Sequence, residues 1–190
     1  MSVKILILLC GVMFTATAKS QVKVGLDFGT LQENRSSTQL SSLGRTFYDG
    51  YLNVGFKKEF PLSLALGYLA INSVENYDDS TYTKMTSVNP YLGVSYQFLK
   101  KSFTSFIVTG AYSPYAKLDV SEAAGKESWN GTTMAAKFVA SFNVSQKTRI
   151  NVGLYYISES FSSRTSGSLT TKSAFNQSYL MPSLGVAFAF

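Results

Sequence analysis

Residues 149–159 read RINVGLYYISE, and in this stretch apolar side chains alternate with polar or small ones. The apolar series occupies every second position: Ile150, Val152, Leu154 and Tyr156. A period of two places successive side chains on opposite faces of a β-strand, whereas an amphipathic helix needs a period of about 3.6. The stretch therefore predicts a strand with one apolar face and one polar or small face.

The same alternation recurs along the chain in eight segments: 22–30, 47–57, 62–71, 86–98, 103–116, 133–144, 149–159 and 179–190. Short turns around KEFP, LKKS and SQKT join the second to the third, the fourth to the fifth and the sixth to the seventh segment. The other connections are long and have the Ser/Thr/Asn/Gly/Asp composition of loops: 31–46, 72–85, 117–132 and 160–178. The short and long connections alternate along the chain. This predicts an all-β fold: an eight-stranded antiparallel up-and-down barrel with both termini at the short-turn end.

The composition of the 190-residue chain indicates which face of the strands points outward. Charged residues make up 15% of the chain, with 17 Lys+Arg against 11 Asp+Glu and a formal net charge of +6, whereas soluble domains average about 25% charged residues. A polar face exposed to water should be rich in Lys and Glu, but here it consists mainly of Gly, Ser, Ala, Asn and Tyr. We therefore expect the polar face to line the interior of a transmembrane barrel and the apolar face to contact lipid.

A few charged residues fall on the predicted inward face: Lys23, Asp27, Asp49, Lys137 and Glu159. A buried charge is costly unless it is paired, so the two lysines must find acceptors, and the three carboxylates are the candidates. The interior of an eight-stranded barrel is only wide enough for side chains to fill it. We therefore assign these residues to interior structure in a barrel without an open diffusion pore.

Aromatic residues on the predicted outward face fall near the two ends of the strands. Near the long-loop end they are Phe28, Tyr48, Tyr68, Tyr112 and Tyr156, and near the short-turn end they are Phe56, Tyr96, Phe98, Phe106, Phe142, Phe188 and Phe190. Aliphatic and small residues lie between the two groups. Two aromatic girdles around an aliphatic band are typical of transmembrane barrels.

The first 20 residues have the features of a secretory signal peptide. Lys4 precedes the apolar run ILILLCGVMF, and small residues follow it up to Ser20. The run is too short for a transmembrane helix, which needs about 20 apolar residues. We expect residues 1–20 to be removed and residues 21–190 to form the barrel, which then lacks cysteine because Cys10 is the single cysteine of the chain.

The last eight residues, SLGVAFAF, carry the most position-specific signal of the chain. Gly185 is followed by Phe188 and by the terminal Phe190. This tail is similar to the C-terminal assembly signal of bacterial outer-membrane barrels. With the leader and the eight strands, residues 21–190 resemble the small outer-membrane β-barrel family, which includes OmpA-like and OmpX-type barrels. The resemblance implies a Gram-negative outer membrane, recognition by periplasmic chaperones and the barrel-insertion machinery, contact with outer-membrane lipid, and a monomer.

Catalytic chemistry has little support in the sequence. The chain has no histidine, and the lipid-acting and proteolytic barrels of the wider group use one. No Walker loop, GxGxxG, HExxH or CxxC motif is present. We therefore predict a non-enzyme without catalytic, cofactor-binding or metal-binding residues. The net charge is too small and too dispersed for nucleic-acid binding.

A basic rim is predicted at the short-turn end by Lys57-Lys58, Lys100-Lys101, Lys147 and Arg149, which could meet phospholipid headgroups or an acidic periplasmic partner. Taken together, the sequence favours a structural or surface-interaction role, in adhesion or envelope integrity, through extracellular loops that contact an unknown ligand. Two alternatives remain open: a narrow pore for ions or small solutes, and a secreted lipocalin-like binder of apolar ligands.

Overall fold

The protein is a closed barrel of eight antiparallel strands in chain order. A computed structural model describes residues 21–34, 40–55, 61–77, 82–99, 101, 103–122 and 125–190. The strands are β1 (Gln21–Asn34), β2 (Leu40–Gly55), β3 (Leu62–Tyr77), β4 (Tyr82–Phe98), β5 (Thr104–Glu122), β6 (Gly125–Asn143), β7 (Thr148–Ser166) and β8 (Leu169–Ala189). Within these residues no helix is long and apolar enough to cross a membrane. The predicted eight-stranded up-and-down barrel is confirmed.

The strands are staggered around the ring. Following paired residues once around the barrel from Phe188 leads back to Ser178 on the same strand, a displacement of about ten residues. Such a stagger goes with a strand tilt of about 35–45°. At that tilt the 19 residues of β7 rise by roughly 45–50 Å. The apolar band of a transmembrane barrel is only about 25 Å tall, so the strands are much longer than such a band requires.

The four connections that the sequence predicted as long loops are therefore mostly strand. Segments 31–46, 72–85, 117–132 and 160–178 lie largely within β1–β8, and the described connection between β7 and β8 is a tight turn at Gly167. The prediction of loops was wrong because apolar side chains of these segments point into the barrel, whereas those between the two aromatic groups point outward. In β5, for example, Leu118 and Val120 are buried in the barrel while Lys117 and Asp119 face outward.

A β-bulge in β5 accompanies this reversal. The register with β6 shifts between Ser113 and Ala116, and both intervening residues, Pro114 and Tyr115, are exposed. One extra residue moves all following side chains to the opposite face. Without the bulge, the buried series that begins at Ala116 would face outward.

The barrel closes through a short ladder between β1 and β8. Pairing is confined to Lys23–Phe28 and Leu184–Ala189, although both strands continue further. The amide of Phe190 donates to the carbonyl of Val22, so even-numbered residues of β8 direct their N–H groups toward β1. Pro182 has no N–H to donate, which explains why the ladder ends just before it.

Candidate functional site

The interior of the barrel is the candidate functional site, and it is built in layers along the barrel axis. Its apolar components form two clusters within the described residues. The first includes Phe47, Leu69, Tyr155, Ile157 and Met181. The second lies nearer the end opposite the short turns and includes Met85, Leu118 and Phe161, with Trp129 and Phe175 packed against it. Polar layers separate and flank these clusters.

The central polar layer is an ion pair enclosed by tyrosines. Lys137 donates hydrogen bonds to Asp49 and, at 2.5 Å, to the hydroxyl oxygen of Tyr91. The Tyr91 hydroxyl in turn donates to Asp49 over 2.9 Å. The ammonium is also 5.0 Å from the ring centroid of Tyr155 and 4.5 Å from that of Tyr91, within cation–π range. Lys137 and Asp49 are buried, and this layer blocks the lumen.

Asp27 belongs to the same layer. The Tyr155 hydroxyl lies 2.5 Å from one oxygen of Asp27 and 2.9 Å from Asp49, so its one proton is shared between the two carboxylates. The Asn151 amide donates to Asp27 over 3.2 Å and to the Tyr51 hydroxyl over 2.7 Å. The layer thus contains two carboxylates for one ammonium and depends on neutral donors for the rest.

Glu159 forms a separate layer, which the first apolar cluster separates from Lys137. The side chain is fully buried and receives hydrogen bonds from four neutral groups: Ser87, Asn89, Gln177 and Tyr179. Asn89 also accepts a hydrogen bond of 2.8 Å from Thr133. Arg45 lies beside this layer, with its guanidinium carbon 4.2 Å from the ring centroid of Tyr179. Glu159 therefore acts as the acceptor at the centre of a second polar plug.

Lys23 lies at the short-turn end, apart from both layers. It is part-buried, and its ammonium donates to the side-chain oxygen of Gln97 over 3.0 Å. Of the five charged residues predicted to face inward, the structure joins Asp27, Asp49 and Lys137 in one network and places Glu159 and Lys23 elsewhere. A small cavity of about 20 Å³ lies on the short-turn side of the central layer and is lined by Asp27, Lys137 and Asn151 among others. It has room for about one water molecule.

Glycines on the inward face make room for the aromatic rings of the interior. Tyr51 is the cross-strand partner of Gly25, and a Cβ on that glycine would lie 2.3 Å from its ring. Tyr91 covers Gly67 in the same way, also at 2.3 Å. A side chain at either glycine would displace a tyrosine of the central layer.

Sequence reasoning missed these tyrosines as members of the site. Tyr51, Tyr91 and Tyr155 all fall on the polar face by alternation, and each of the first two is paired with a glycine. An inward aromatic residue opposite a glycine is the signal that could have found them.

The tail residues of the predicted assembly signal have definite positions. Phe188 and Phe190 face outward and are exposed. Gly185 is paired with Asp27 across the closing ladder, and a Cβ there would lie 1.8 Å from the Asp27 carboxylate. The glycine therefore has a packing role at the barrel closure, independent of any recognition signal.

The outer surface carries the two aromatic groups. Register and stagger place five rings at one level, each about half exposed: Phe28, Tyr48, Tyr68, Tyr112 and Tyr156. We call this the outer girdle. Near the short turns, Phe98 stacks on Phe106 with ring centroids 5.8 Å apart, and Phe106 lies 6.0 Å from Phe138. Phe56 of the predicted inner girdle lies outside the described residues.

Beyond the outer girdle the exposed surface becomes polar and contains ion pairs. Arg164 on β7 donates to Glu127 on β6 through two nitrogens, one of them at 2.7 Å. This hydrogen bond lowers the pKa of the Glu127 carboxyl below its ordinary value. At Asp119, partial burial raises the pKa, but hydrogen bonds from Ser128 (2.6 Å) and Lys117 (3.0 Å) outweigh it, and the net shift is downward. The Arg164–Glu127 pair thus joins the β5–β6 hairpin to the β7–β8 hairpin, whereas the contacts of Asp119 lie within the β5–β6 hairpin.

The described residues show no cluster of metal-ligating side chains. They contain no group of three or more His, Cys, Asp or Glu side chains that could hold a metal ion. The buried carboxylates of Asp27, Asp49 and Glu159 accept hydrogen bonds from tyrosine, amide, serine and lysine groups.

Comparison with known proteins agrees with the fold. Neisserial surface protein A (NspA) has a similar structure, with a TM-score of 0.57 and 13% sequence identity over 90% of this chain and 97% of that one. The N-terminal barrel domain of OprF from Pseudomonas aeruginosa gives a TM-score of 0.52 at 15% identity, with the same coverage. Ail, the attachment invasion locus protein of Yersinia pestis, gives 0.53 at 9% identity over 90% of this chain and 99% of that one, in a complex with the heparin analogue sucrose octasulfate.

No family model and no curated protein sequence matches the chain. At such low identity the likeness concerns the fold alone. The chain has the fold of the eight-stranded outer-membrane barrels, as the resemblance of its sequence implied.

Proposed function

We propose that this protein is an integral outer-membrane barrel with a filled interior, which carries a rigid platform of β-hairpins beyond the membrane for contact at the cell surface. The observation that carries the proposal is the continuation of the closed barrel above the outer girdle. There the interior is packed with Leu118, Phe161 and Trp129 and the outside is polar. A protein that needed only a membrane anchor has no use for a second hydrophobic core outside the lipid.

The filled interior argues against an open pore. Two polar layers, around Lys137 and around Glu159, are separated and capped by apolar clusters. A solute would have to displace buried side chains at each level. Without histidine in the chain, the role we infer is non-catalytic, and the barrel acts as a monomer held by lipid.

The outer surface between the two aromatic groups disfavours the lipocalin-like alternative. Large apolar side chains, including Leu154 and Leu184, are about half exposed on the outside, and the interior holds charged groups. A secreted binder of apolar ligands requires the opposite arrangement. The attachment invasion locus protein Ail has the same fold, which supports surface attachment as the kind of role to test.

Orientation can be tested by cysteine labelling, because residues 21–190 contain no cysteine. Ser168→Cys at the tip of the β7–β8 hairpin should react with a membrane-impermeant maleimide on intact cells. Gln146→Cys, exposed in the turn before β7, is the matched control and should react only after the outer membrane is permeabilised. Labelling of Gln146→Cys alone on intact cells would reverse the proposed orientation.

Planar bilayers distinguish the filled barrel from the pore. We expect no stepwise conductance from the purified protein, whereas regular steps of constant size would establish a narrow channel and overturn this part of the proposal.

Surface contact can be tested by shortening one hairpin. Replacing Ser163–Lys172 by a two-residue turn removes only strand beyond the outer girdle. Cells producing this variant should adhere less than cells with the full chain. A gel mobility in detergent that changes on heating should show that the variant still folds as a barrel. Unchanged adhesion after each hairpin in turn is shortened would refute the surface-contact role.

Deletion of Phe190 tests the assembly signal that we propose for the tail. The deletion removes the exposed ring and one closing hydrogen bond, from the Phe190 amide to Val22, but leaves the ladder between Lys23–Phe28 and Leu184–Ala189. The purified variant should therefore still refold in detergent but insert less efficiently in cells. Unchanged insertion would remove the tail as a recognition signal.

A further inference from the structure

The inner mouth of the barrel, at the short-turn end, contains an arc of unpartnered polar atoms on four successive strands. They are Gln97 Nε2 on β4, Ser105 Oγ on β5, Ser141 Oγ on β6 and Arg149 Nη1 on β7. All four atoms are buried and have no hydrogen-bond partner among the residues that the structure describes. Buried polar groups are almost always hydrogen-bonded, so an arc of four requires an explanation.

The register places these groups at one level and on one side of the lumen. Ser105 and Ser141 are direct cross-strand partners, and their side chains are almost completely buried. Arg149 is paired with Ala187, a buried inward-facing residue, so its side chain points into the barrel. Gln97 uses its oxygen to accept the hydrogen bond from Lys23, which leaves its NH₂ group as a donor toward the arc.

The arc is electropositive. Arg149 keeps its charge under all physiological conditions. Asp27 belongs to the central layer and is engaged by Tyr155 and Asn151, and the C-terminal carboxylate of Phe190 lies at the barrel closure beside Val22. A buried guanidinium nitrogen without a hydrogen-bond partner is costly, and two serine hydroxyls and an amide at the same level are the donors that an oxyanion accepts from.

From this arrangement we propose that the inner mouth binds a phosphate-type oxyanion, held by Arg149 with Ser105, Ser141 and Gln97. The group can come from free inorganic phosphate or from the headgroup of an inner-leaflet phospholipid, since both present the same chemistry at this end of the barrel. The site is distinct from the surface role of the hairpins, which lie at the opposite end.

Thermal unfolding of the purified protein in detergent, followed by gel mobility, tests the site with inorganic phosphate replacing chloride at constant ionic strength. Phosphate should raise the midpoint in a saturable manner. Arg149→Gln should weaken the apparent affinity by about tenfold or more, because a charge-assisted hydrogen bond is lost. Ser105→Ala with Ser141→Ala should weaken it by several-fold while leaving the charge unchanged.

Lys147→Gln is the matched control. It removes the same charge from the same end of the barrel, but Lys147 is exposed in the turn before β7. The control should bind phosphate within about twofold of the natural chain, since exposed charges contribute little. An equal loss in Lys147→Gln and Arg149→Gln would mean general charge screening and would overturn the site.

Vesicles distinguish the two sources of phosphate. If free phosphate has no effect, phosphatidylglycerol vesicles should stabilise the natural chain relative to vesicles of a phosphate-free galactolipid, and Arg149→Gln should abolish this difference; a lipid headgroup is then the occupant. Absence of both responses overturns the proposal.

Glu59, outside the described residues, provides the last test. If Glu59→Gln destabilises the barrel as Arg149→Gln does and phosphate has no effect, the counter-ion is the chain's own carboxylate and the proposal fails.

Discussion

Replacing Lys137 by methionine should destabilise the barrel far more than any surface lysine does. Methionine keeps the length and most of the apolar stem but removes the ammonium that donates to Asp49 and Tyr91. The central layer then holds two carboxylates, Asp27 and Asp49, and no cation among its described members. Lys137 is 5% exposed and Asp49 is 0% exposed, so solvent cannot compensate for the lost partner.

The expected cost is about 3–5 kcal/mol, the range found when one partner of a buried ion pair is removed. Lys117→Met provides the comparison, because Lys117 also forms an ion pair with an aspartate but is 55% exposed. An exposed pair contributes at most about 1 kcal/mol. The difference between the unfolding free energies lost in the two variants therefore measures how much burial strengthens a Lys–Asp ion pair.

Urea unfolding in phospholipid vesicles, followed by the gel mobility of the unheated protein, gives the free energy of unfolding. The double variant Lys137→Met with Asp49→Asn should recover a large part of the loss, because it removes the uncompensated charge along with its partner. Equal costs for Lys137→Met and Lys117→Met would refute the reasoning, and so would a double variant as unstable as the sum of its two single changes.

Three further changes test other parts of the structure. Leu154→Arg places a charge on the lipid-facing surface between the girdles and should cost about 2–4 kcal/mol in vesicles; no effect would mean that the faces are reversed. Gly185→Ala inserts a methyl group against a buried carboxylate and should cost about 1–3 kcal/mol, whereas Gly110→Ala, with nothing within 4 Å of the added atom, should cost far less in the same unfolding assay. In an NMR titration, the pKa of Glu127 should lie below its ordinary value and return to it in Arg164→Gln. Since the folded-state pKa is the lower one, the hydrogen bond stabilises the hairpins above the ordinary pKa of the carboxyl, and this stabilisation is lost as the pH falls through the folded-state value.

The membrane-spanning half of the fold could be predicted from local pattern because lipid outside and a narrow lumen inside impose one alternation on every strand. Ile150, Val152 and Leu154 face outward as their spacing indicates. The extension beyond the outer girdle was missed for the same reason. Water replaces lipid as the outer solvent there, so Leu118 and Val120 turn inward and the polarity of the alternation reverses, with a bulge at Pro114 and Tyr115 to change the face.

The candidate site could be predicted in its composition but not in its connections. Alternation alone assigns Asp27, Asp49 and Lys137 to the inward face. It does not say that Lys137 meets Asp49, which is 88 residues away in the chain, while Lys23 donates to Gln97 at the inner mouth.

The amino-acid sequence by itself determined the strand count, the order of the strands and the lipid-facing surface, since each depends on the local period of apolar residues and on turn composition. The tertiary structure decided the ion-pair partners, the two polar layers around Lys137 and Glu159, and the arc of donors at Arg149. These depend on the stagger of the strands, which sets the level at which each inward side chain lies, and the stagger is a property of the closed ring that no single strand contains.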